Sequence, residues 1–198
     1  MTVLSSRPRG EDGDPAGVTV LAVCTANVCR SPAAERLLAR RLAGSGVTVT
    51  SAGTRARPGV PVDPEVAALL EAAGVPAEPS GARELRPADV RQAGLVLAMA
   101  REHRSAVVQL VPAALRRTFL LTDAADVAEA VAAAGWPQDV PASAAARLAA
   151  LPALAARHRV PGATPEDVPD PHRRPREEYL RSFAVIEDAV DRLARALG

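Results

Sequence analysis

The sequence predicts an α/β protein with three layers, in which a doubly wound sheet of four parallel strands lies between helices on both of its faces. Short apolar runs rich in β-branched residues alternate with segments of helical periodicity along the chain. These runs are almost uninterrupted in hydrophobic residues, which is typical of parallel strands buried on both sides. The first run leads through a short loop into a helical segment, as the strand-loop-helix units of such a fold require.

The first strand is predicted at residues 18–23 and the first helix at residues 31–43. We expect Ser31 to be the N-cap of this helix, because its hydroxyl can accept a hydrogen bond from a backbone N–H of the first turn. Pro32 would then occupy the first helical position, where a missing N–H costs nothing. The loop between the two elements opens at the carboxyl end of a strand, where doubly wound folds bind their ligands.

The later elements continue the alternation of strand and helix. An Ala-rich stretch at about 123–165 contains five prolines, so we predict short helices there, forming either a lid or a surface addition. The predicted organisation is a disordered leader at 1–17 and a single domain at 18–198, with that stretch as an insertion. Periodicity and turn residues place the remaining strands at 47–51, 95–99 and 118–121 and the remaining helices at 63–73, 101–110 and 176–197.

The composition narrows the class of protein. Of 198 residues, 48% are hydrophobic and 24% are charged, and the formal net charge is +1. Nothing in this balance favours a nucleic acid or a membrane surface as a partner. The leader lacks the apolar core of a signal peptide, and no run reaches the roughly 18 apolar residues of a membrane-spanning helix. We therefore expect a soluble, cytoplasmic protein.

The two cysteines, Cys24 and Cys29, are too few for a secreted disulfide framework or a four-thiolate metal site. The three histidines, at positions 103, 158 and 172, have no spacing that matches a zinc motif. We predict no metal ion and no cofactor. Reduced, reactive thiols are the remaining interpretation of the cysteine pair.

The loop from Cys24 to Ser31 combines a thiol at a strand end, an arginine six residues later and the start of a helix. A tight turn before a helix N-terminus points successive backbone N–H groups inward, and such a concave loop binds phosphate oxygens. The guanidinium of Arg30 would hold two further phosphoryl oxygens. The predicted phosphate-binding residues are Thr25, Ala26, Asn27, Val28, Cys29 and Arg30.

The positive environment of this loop should stabilise a thiolate at Cys24, which makes Cys24 the candidate nucleophile. Thiolate attack on phosphorus would give a phosphocysteine intermediate, and Ser31 could hydrogen-bond the sulfur as it leaves. The alternative is that both cysteines are small buried hydrophobic residues. That alternative does not account for Arg30 between a strand and a helix, so we favour the catalytic thiol.

Residues 23–35, VCTANVCRSPAAE, resemble the signature of the low-molecular-weight protein tyrosine phosphatases. Residues 51–54, SAGT, resemble the segment that supports the phosphate loop in that family, and residues 168–171, VPDP, resemble its acid loop. Residues 82–83 and 95–99 also match in order, within a similarity that covers about 18–122 and 165–197.

The resemblance implies roles for residues outside the nucleophile. The leaving oxygen of a phosphate ester needs a proton, and by chemistry alone Glu166, Asp167 and Asp170 are all candidate acids. The family position points to Asp170. Asn27 would hold the loop backbone through its side-chain amide. Cys29 would be either a redox partner that forms a disulfide with the nucleophile or a buried, unreactive thiol.

The expected substrate rim departs from the family pattern. Arg57 occupies the position of the usual aromatic pocket wall, and His172 and Arg173 occupy positions where tyrosines commonly follow the Asp-Pro of the acid loop. Ser80 stands where the family has a histidine before the Ala-Arg pair. Ring stacking contributes about 0.5 to 1.5 kcal/mol per pair, so its loss weakens the expectation of phosphotyrosine without affecting phosphate chemistry.

The sequence thus predicts a phosphomonoester hydrolase with Cys24, Arg30 and Asp170 as nucleophile, phosphate clamp and acid. A phosphorylated protein is the expected partner, and phosphotyrosine is the favoured group. The alternative is a protein arginine phosphatase or a phosphatase of small phosphoesters on the same scaffold. An arsenate reductase would need further cysteines or an external thiol, and a phosphate-binding module without turnover is the non-enzymatic alternative.

Overall fold

The structure, a computed structural model, describes residues 17–76, 81–159 and 165–198. Except for Gly17, the predicted leader lies outside these residues, as do Ser80 and a few residues of the predicted insertion. Within the described residues, no helix is both long enough and apolar enough to cross a membrane.

The centre of the molecule is one sheet of four parallel strands in the order β2-β1-β3-β4, which confirms the predicted α/β architecture. The two strands at the centre, β1 and β3, are buried along most of their length, as their continuous apolar sequences indicate. The register pairs Cys24 with Gly53, so the candidate nucleophile lies beside the end of β2. The strands are β1 (Val18–Cys24), β2 (Val47–Gly53), β3 (Leu95–Ala98) and β4 (Thr118–Leu120).

Helices cover both faces of the sheet. The larger core lies between the sheet and α1, α2, α5, α6 and α7, and the smaller core lies between the sheet and α3, α4 and a 3₁₀ helix. The helices are α1 (Arg30–Arg41), α2 (Pro64–Ala72), α3 (Pro87–Gln92), α4 (Arg101–Leu110), α5 (Leu121–Ala134), α6 (Ala144–His158) and α7 (Arg176–Leu197), and the 3₁₀ helix is Pro112–Arg117.

Strand β1 shows how the sequence places the candidate nucleophile. Side chains of a strand alternate between faces, and here Val20, Ala22 and Cys24 enter the larger core while Leu21 and Val23 enter the smaller one. Both sets are almost completely excluded from solvent. Burial on both sides fixes the strand against slippage, and this fixes the position of its last residue, Cys24.

The Ala-rich stretch differs from the expectation of short helices. It forms two helices of ordinary length, α5 with 14 residues and α6 with 15, and Pro152 lies inside the second. Ala and Leu have high helix propensity, which accounts for helices of this length. Leu148 and Leu151 of α6 are completely buried in the same core as Val20, so this part of the stretch is neither a lid nor a surface addition. That it is an insertion relative to the family stays a prediction.

The start of α1 also differs from the expectation. The helix begins at Arg30, and its N-cap is Cys29, which makes no side-chain capping bond. Ser31 lies inside the first turn with its hydroxyl directed at the sulfur of Cys24, 3.0 Å away, so it does not cap the helix. The N-cap residue therefore leaves the N–H groups of the first turn without a side-chain acceptor, as an anion-binding helix terminus requires.

We predict that Gly53→Ala destabilises the protein, because the end of β2 touches the loop after β1. An added Cβ would lie 2.6 Å from the carbonyl oxygen of Thr25 and 2.8 Å from the backbone nitrogen of Asn27. Backbone atoms cannot move aside as a side chain can, so we expect the free energy of unfolding in urea to fall by about 1 to 3 kcal/mol.

Gly94→Ala is the matched control for this prediction. Its Cβ would meet the end of the Val18 side chain at 3.2 Å, and a side chain at the start of a strand can shift. We expect this variant to unfold close to the wild-type urea midpoint. Equal stability of both variants would show that the loop does not press on Gly53.

Candidate active site

The segment from Cys24 to Ser31 forms a closed loop between β1 and α1. Asn27 sits at its tip with a φ of 56°, in the left-handed region that Asn tolerates better than most residues. The Asn27 amide nitrogen donates to Ser31 Oγ at 3.0 Å and to Ser51 Oγ at 2.7 Å, and its oxygen accepts the N–H of Arg83 at 2.9 Å. One side chain thus ties the loop to α1, to β2 and to the chain after α2.

The sulfur of Cys24 is the acceptor at the end of a hydrogen-bond chain. Ser51 donates to Glu35 Oε2 at 2.5 Å, and Asn27 donates to both serines. Since Ser31 Oγ accepts from Asn27, its own hydrogen is available to the sulfur at 3.0 Å, and the N–H of Asn27 also reaches the sulfur at 3.3 Å. The sulfur of Cys24 therefore lies within reach of two hydrogen-bond donors.

The segment that follows β2 supports the phosphate loop through backbone hydrogen bonds, as the resemblance of residues 51–54 implies. The N–H of Thr54 donates to the carbonyl of Cys24 at 2.9 Å, and that of Arg55 donates to the carbonyl of Thr25 at 2.8 Å. Because these carbonyls are bound on the β2 side, the loop is held rigidly against the sheet.

Thr25 is held by a buried histidine that the sequence did not indicate. Thr25 Oγ1 lies 2.9 Å from His103 Nε2, and His103 is only 1% exposed. Burial, together with the nearby charge of Arg30, lowers the pKa of His103 to about 4. The imidazole is therefore neutral near pH 7, and its 3.3 Å contact with Glu102 is not an ion pair.

The acid loop crosses the phosphate loop and brings one carboxylate to it. The N–H of Val168 donates to the carbonyl of Met99 at 2.8 Å, which ties the acid loop to the end of β3. Arg30 donates to the carbonyl of Val168 at 3.3 Å and pairs with Asp170 at 2.9 Å. The side chain of Asp170 is 53% exposed, so it can exchange protons with solvent or with a ligand.

The other two candidate acids, Asp167 and Glu166, lie outside the cavity and contact other parts of the protein. Asp167 accepts the N–H of Arg101 at 3.0 Å, and the carbonyl of Glu166 accepts the hydroxyl of Thr122 at 2.8 Å. Neither residue lines the cavity that contains the Cys24 sulfur. The geometry therefore favours Asp170 among the three acids.

A cavity of about 80 Å³ lies between the two loops. It is lined by backbone and side chains of Cys24, Thr25, Ala26, Val28, Cys29, Arg30, Asp170 and His172. None of these eight carries a phenyl, phenol or indole ring. Of the three predicted rim residues, His172 lines the cavity, whereas Arg57 and Arg173 do not, so a rim role for these two arginines stays a prediction.

The tyrosine of the chain, Tyr179, is buried behind the acid loop and is not a cavity wall. Its hydroxyl donates to Asp63 Oδ2 at 3.0 Å and accepts the N–H of Arg173 at 3.3 Å. Burial and the hydrogen bond to Asp63 raise the pKa of Tyr179 to about 12. Tyr179 thus connects the acid loop with Asp63, the N-cap of α2.

Cys29 is buried at the other end of the loop. Burial, reinforced by the carboxylate of Asp63, raises the pKa of the Cys29 thiol well above its ordinary value. The sulfur lies 3.9 Å from Nδ1 of His172. Both cysteines are free thiols, so a disulfide between them stays a prediction.

A larger cavity of about 540 Å³ lies away from the loop, beside α5. Its three lining carboxylates are all paired with lining arginines: Asp123 with Arg159, and Asp126 and Glu129 with Arg192. It contains none of the phosphate-loop residues. We therefore place the functional site at the smaller cavity, where the thiol, the guanidinium and the carboxylate meet.

This chain is similar to known proteins along most of its length. The family described as low molecular weight phosphotyrosine protein phosphatase matches residues 19–133. The low molecular weight protein-tyrosine-phosphatase Etp of Escherichia coli strain K12 is 39% identical over 179 residues, which cover 90% of this chain and 94% of Etp.

Solved structures show the same fold. YwlE arginine phosphatase from Geobacillus stearothermophilus is 28% identical with a TM-score of 0.66, over 90% of this chain and 91% of YwlE. Vibrio vulnificus Wzb in complex with benzylphosphonate is 25% identical with a TM-score of 0.65, over 90% of this chain and 97% of Wzb. The family match spans more than half of the chain, and a relative well above 30% identity spans nearly all of it. This chain therefore belongs to the low molecular weight phosphotyrosine protein phosphatase family.

Proposed function

We propose that this chain hydrolyses phosphomonoesters through a phosphocysteine intermediate on Cys24, with protein phosphotyrosine as the principal substrate. The observation that carries the proposal is that Cys24, Arg30 and Asp170 line one cavity at the N-terminus of α1. A nucleophile, an anion clamp and an acid are the three functions that displacement at a phosphate ester needs. Relatives that are named protein tyrosine phosphatases support the choice of substrate.

In the first step, the backbone N–H groups of residues 25–30 and the Arg30 guanidinium bind the phosphoryl oxygens. The Cys24 thiolate attacks phosphorus, a sulfur–phosphorus bond forms, and the bond to the leaving oxygen breaks. Asp170 gives its proton to that oxygen, so the substrate leaves as a neutral alcohol or phenol.

In the second step, Asp170 takes a proton from water, and the water oxygen attacks the phosphocysteine. Phosphate is released and Cys24 leaves as a thiolate. The hydroxyl of Ser31 and the N–H of Asn27 already contact this sulfur, so both can stabilise the charge that returns to it. The Arg30–Asp170 pair must loosen when substrate enters, because the phosphoryl group takes the same guanidinium.

A protein arginine phosphatase is the second candidate function. Two observations favour it: among the described residues, the lining of the cavity carries no phenyl, phenol or indole ring for stacking on a phenol, and one solved relative is named an arginine phosphatase. The phosphate chemistry at Cys24 would be the same for both substrates. Only the group that leaves distinguishes the two functions.

We predict that Cys24→Ser lowers kcat on an aryl phosphate by about 10⁴-fold or more, because a serine hydroxyl at this site is far less nucleophilic than a thiolate. Steady-state release of phosphate measures this. Inorganic phosphate should still raise the Tm of the variant, which shows that the loop is folded. Wild-type turnover by Cys24→Ser would contradict the assignment, and phosphate binding by an inactive wild type would identify a binding module instead.

We predict that Asp170→Asn lowers kcat/KM on phenyl phosphate by about 10²- to 10⁴-fold, because the phenoxide then leaves without a proton and kcat/KM does not include the second step, in which Asp170 is the base. On a dinitrophenyl phosphate, whose leaving group needs no proton, the loss should be much smaller. Asp167→Asn is the matched control, since its side chain keeps an oxygen for the N–H of Arg101, and it should turn over close to the wild-type rate. Equal losses on both substrates would exclude Asp170 as the acid.

We predict that kcat/KM for a phosphotyrosine peptide exceeds that for the phosphoarginine peptide of the same sequence by at least about tenfold, which corresponds to about 1.4 kcal/mol of transition-state binding. Both rates are measured on the wild-type protein with the same phosphate assay. The reverse ratio would assign the chain to arginine phosphatases and leave the mechanism at Cys24 intact.

A further inference from the structure

Three residues beside the active-site cavity come from distant parts of the chain and place metal-binding atoms close together. Cys29 ends the phosphate loop, Asp63 caps α2, and His172 lies in the acid loop. One ligand atom from each lies within 4.8 Å of the other two. The histidine and cysteine are 143 positions apart, so sequence spacing could not reveal this cluster, and it runs against the expectation of no metal.

The distances between these three ligand atoms suit a transition-metal ion such as Zn²⁺. Cys29 Sγ lies 3.9 Å from His172 Nδ1, and His172 Nδ1 lies 3.9 Å from Asp63 Oδ2. Tetrahedral Zn²⁺ with bonds of about 2.0 to 2.3 Å places neighbouring ligand atoms about 3.3 to 3.6 Å apart. These two separations need to shorten by a few tenths of an ångström, and the third, between the Cys29 sulfur and the Asp63 oxygen, lies within 4.8 Å. A set of one sulfur, one nitrogen and one oxygen suits Zn²⁺ better than Mg²⁺ or Ca²⁺, which prefer oxygen alone.

Asp63 is oriented as metal ligands usually are. Its Oδ1 accepts the N–H of Glu65 at 3.0 Å, and its Oδ2 accepts the hydroxyl of Tyr179 at 3.0 Å. A carboxylate has about four lone-pair positions, so these two bonds leave Oδ2 able to bind an ion. Such hydrogen bonds from outside the site fix a ligand and strengthen metal binding.

The local charge also favours a cation. The carboxylates of Asp63 and Asp170 both act on the sulfur of Cys29. Arg30 is the opposing charge, but its guanidinium is paired with Asp170 at 2.9 Å. The side chain of His172 is 42% exposed, which gives an ion a route from solvent.

We propose that Cys29, Asp63 and His172 form a Zn²⁺ site, and that an ion bound there inhibits hydrolysis at Cys24. On binding, the Cys29 thiol releases its proton to solvent and its sulfur bonds the ion, while Asp63 and His172 supply oxygen and nitrogen. No electron is transferred. Water occupies the fourth position, as at other zinc sites with three protein ligands.

The inhibitory part rests on the proposed function. Cys29 and His172 both line the cavity that receives the phosphoryl group, so an ion bonded to both changes the shape of the cavity wall. The ion also restrains the acid loop two residues from Asp170, whose Oδ1 accepts the N–H of His172 at 3.3 Å. Substrate entry needs Asp170 to leave Arg30, and a restrained loop opposes this.

Metal binding is tested without any activity assay, by titrating the chelator-treated full chain with Co²⁺ and then displacing Co²⁺ with Zn²⁺. We expect one ion per chain and a cobalt–thiolate charge-transfer band. His172→Ala and Asp63→Asn should each weaken Zn²⁺ binding by about 100-fold or more. Asparagine keeps the cap of α2, so Asp63→Asn should remain folded. His158→Ala, in α6, is the matched histidine control and should bind Zn²⁺ as the wild type does.

The Cys24→Ser variant distinguishes Zn²⁺ binding at the proposed site from Zn²⁺ binding at the nucleophile. The charge-transfer band and the Zn²⁺ affinity should persist in that variant, because the proposed sulfur ligand is Cys29. Loss of the band in Cys24→Ser, or undiminished affinity in His172→Ala, would overturn the site. These outcomes are independent of whether the chain hydrolyses any phosphoester.

Inhibition is then measured against each variant's own rate in the presence of chelator. Zn²⁺ should inhibit the wild type reversibly, and excess chelator should restore turnover. The inhibition constant should rise in His172→Ala by the same factor as the dissociation constant. Equal inhibition of both proteins would mean that Zn²⁺ acts at Cys24, and binding without inhibition would refute the regulatory part of the proposal.

Discussion

The hydrogen bonds of the Asn27 side chain are the interaction on which the site depends. A left-handed residue at the tip of the loop costs about 1 kcal/mol or more, and no regular backbone pairing compensates for it. The amide makes three hydrogen bonds, to Ser31, Ser51 and the backbone of Arg83, each contributing about 0.5 to 1.5 kcal/mol. Aspartate could accept but not donate, so it would keep one of these bonds and lose two.

The hydrogen bonds of Asn27 also determine which donors reach the sulfur of Cys24. Because Asn27 occupies the acceptor side of Ser31, the serine hydrogen is directed to Cys24. Ser51 of β2 donates to Glu35 of α1 and accepts from the Asn27 amide, so residues outside the loop hold the amide that orients Ser31 toward the sulfur. The loop is therefore held rigidly, and in the proposed mechanism the group that has to move is Asp170, whose side chain is exposed.

Much of this could be predicted from the sequence because it is local. Strand β1, the loop and α1 are contiguous, so their apolar pattern predicted the fold, and the Cys-to-Arg spacing predicted a loop whose Cys24 and Arg30 line one cavity in the structure. Ser31 was expected to cap α1 and to hydrogen-bond the Cys24 sulfur, and the structure shows only the second contact. A local rule places serine at a helix cap and does not take into account that its hydroxyl accepts from Asn27 and donates to Cys24. His103 and Asp63 were missed for a different reason. They reach the site only through long-range packing, which no spacing within the chain expresses.

The substrate question follows from what surrounds the cavity rather than from the loop. The single tyrosine is used to hold Asp63 and the backbone of Arg173, so it cannot stack on a substrate ring. The wall next to the nucleophile is instead formed by Thr25, and the neutral His103 fixes its hydroxyl. His172 is a second polar side chain in the wall of the cavity, and it is exposed to solvent. An ion bound at the proposed site would occupy its Nδ1, so that this nitrogen could not contact a substrate. Discrimination between leaving groups is therefore expected from Thr25 and His172, two polar groups whose hydrogen bonds differ between a phenol oxygen and a guanidinium nitrogen.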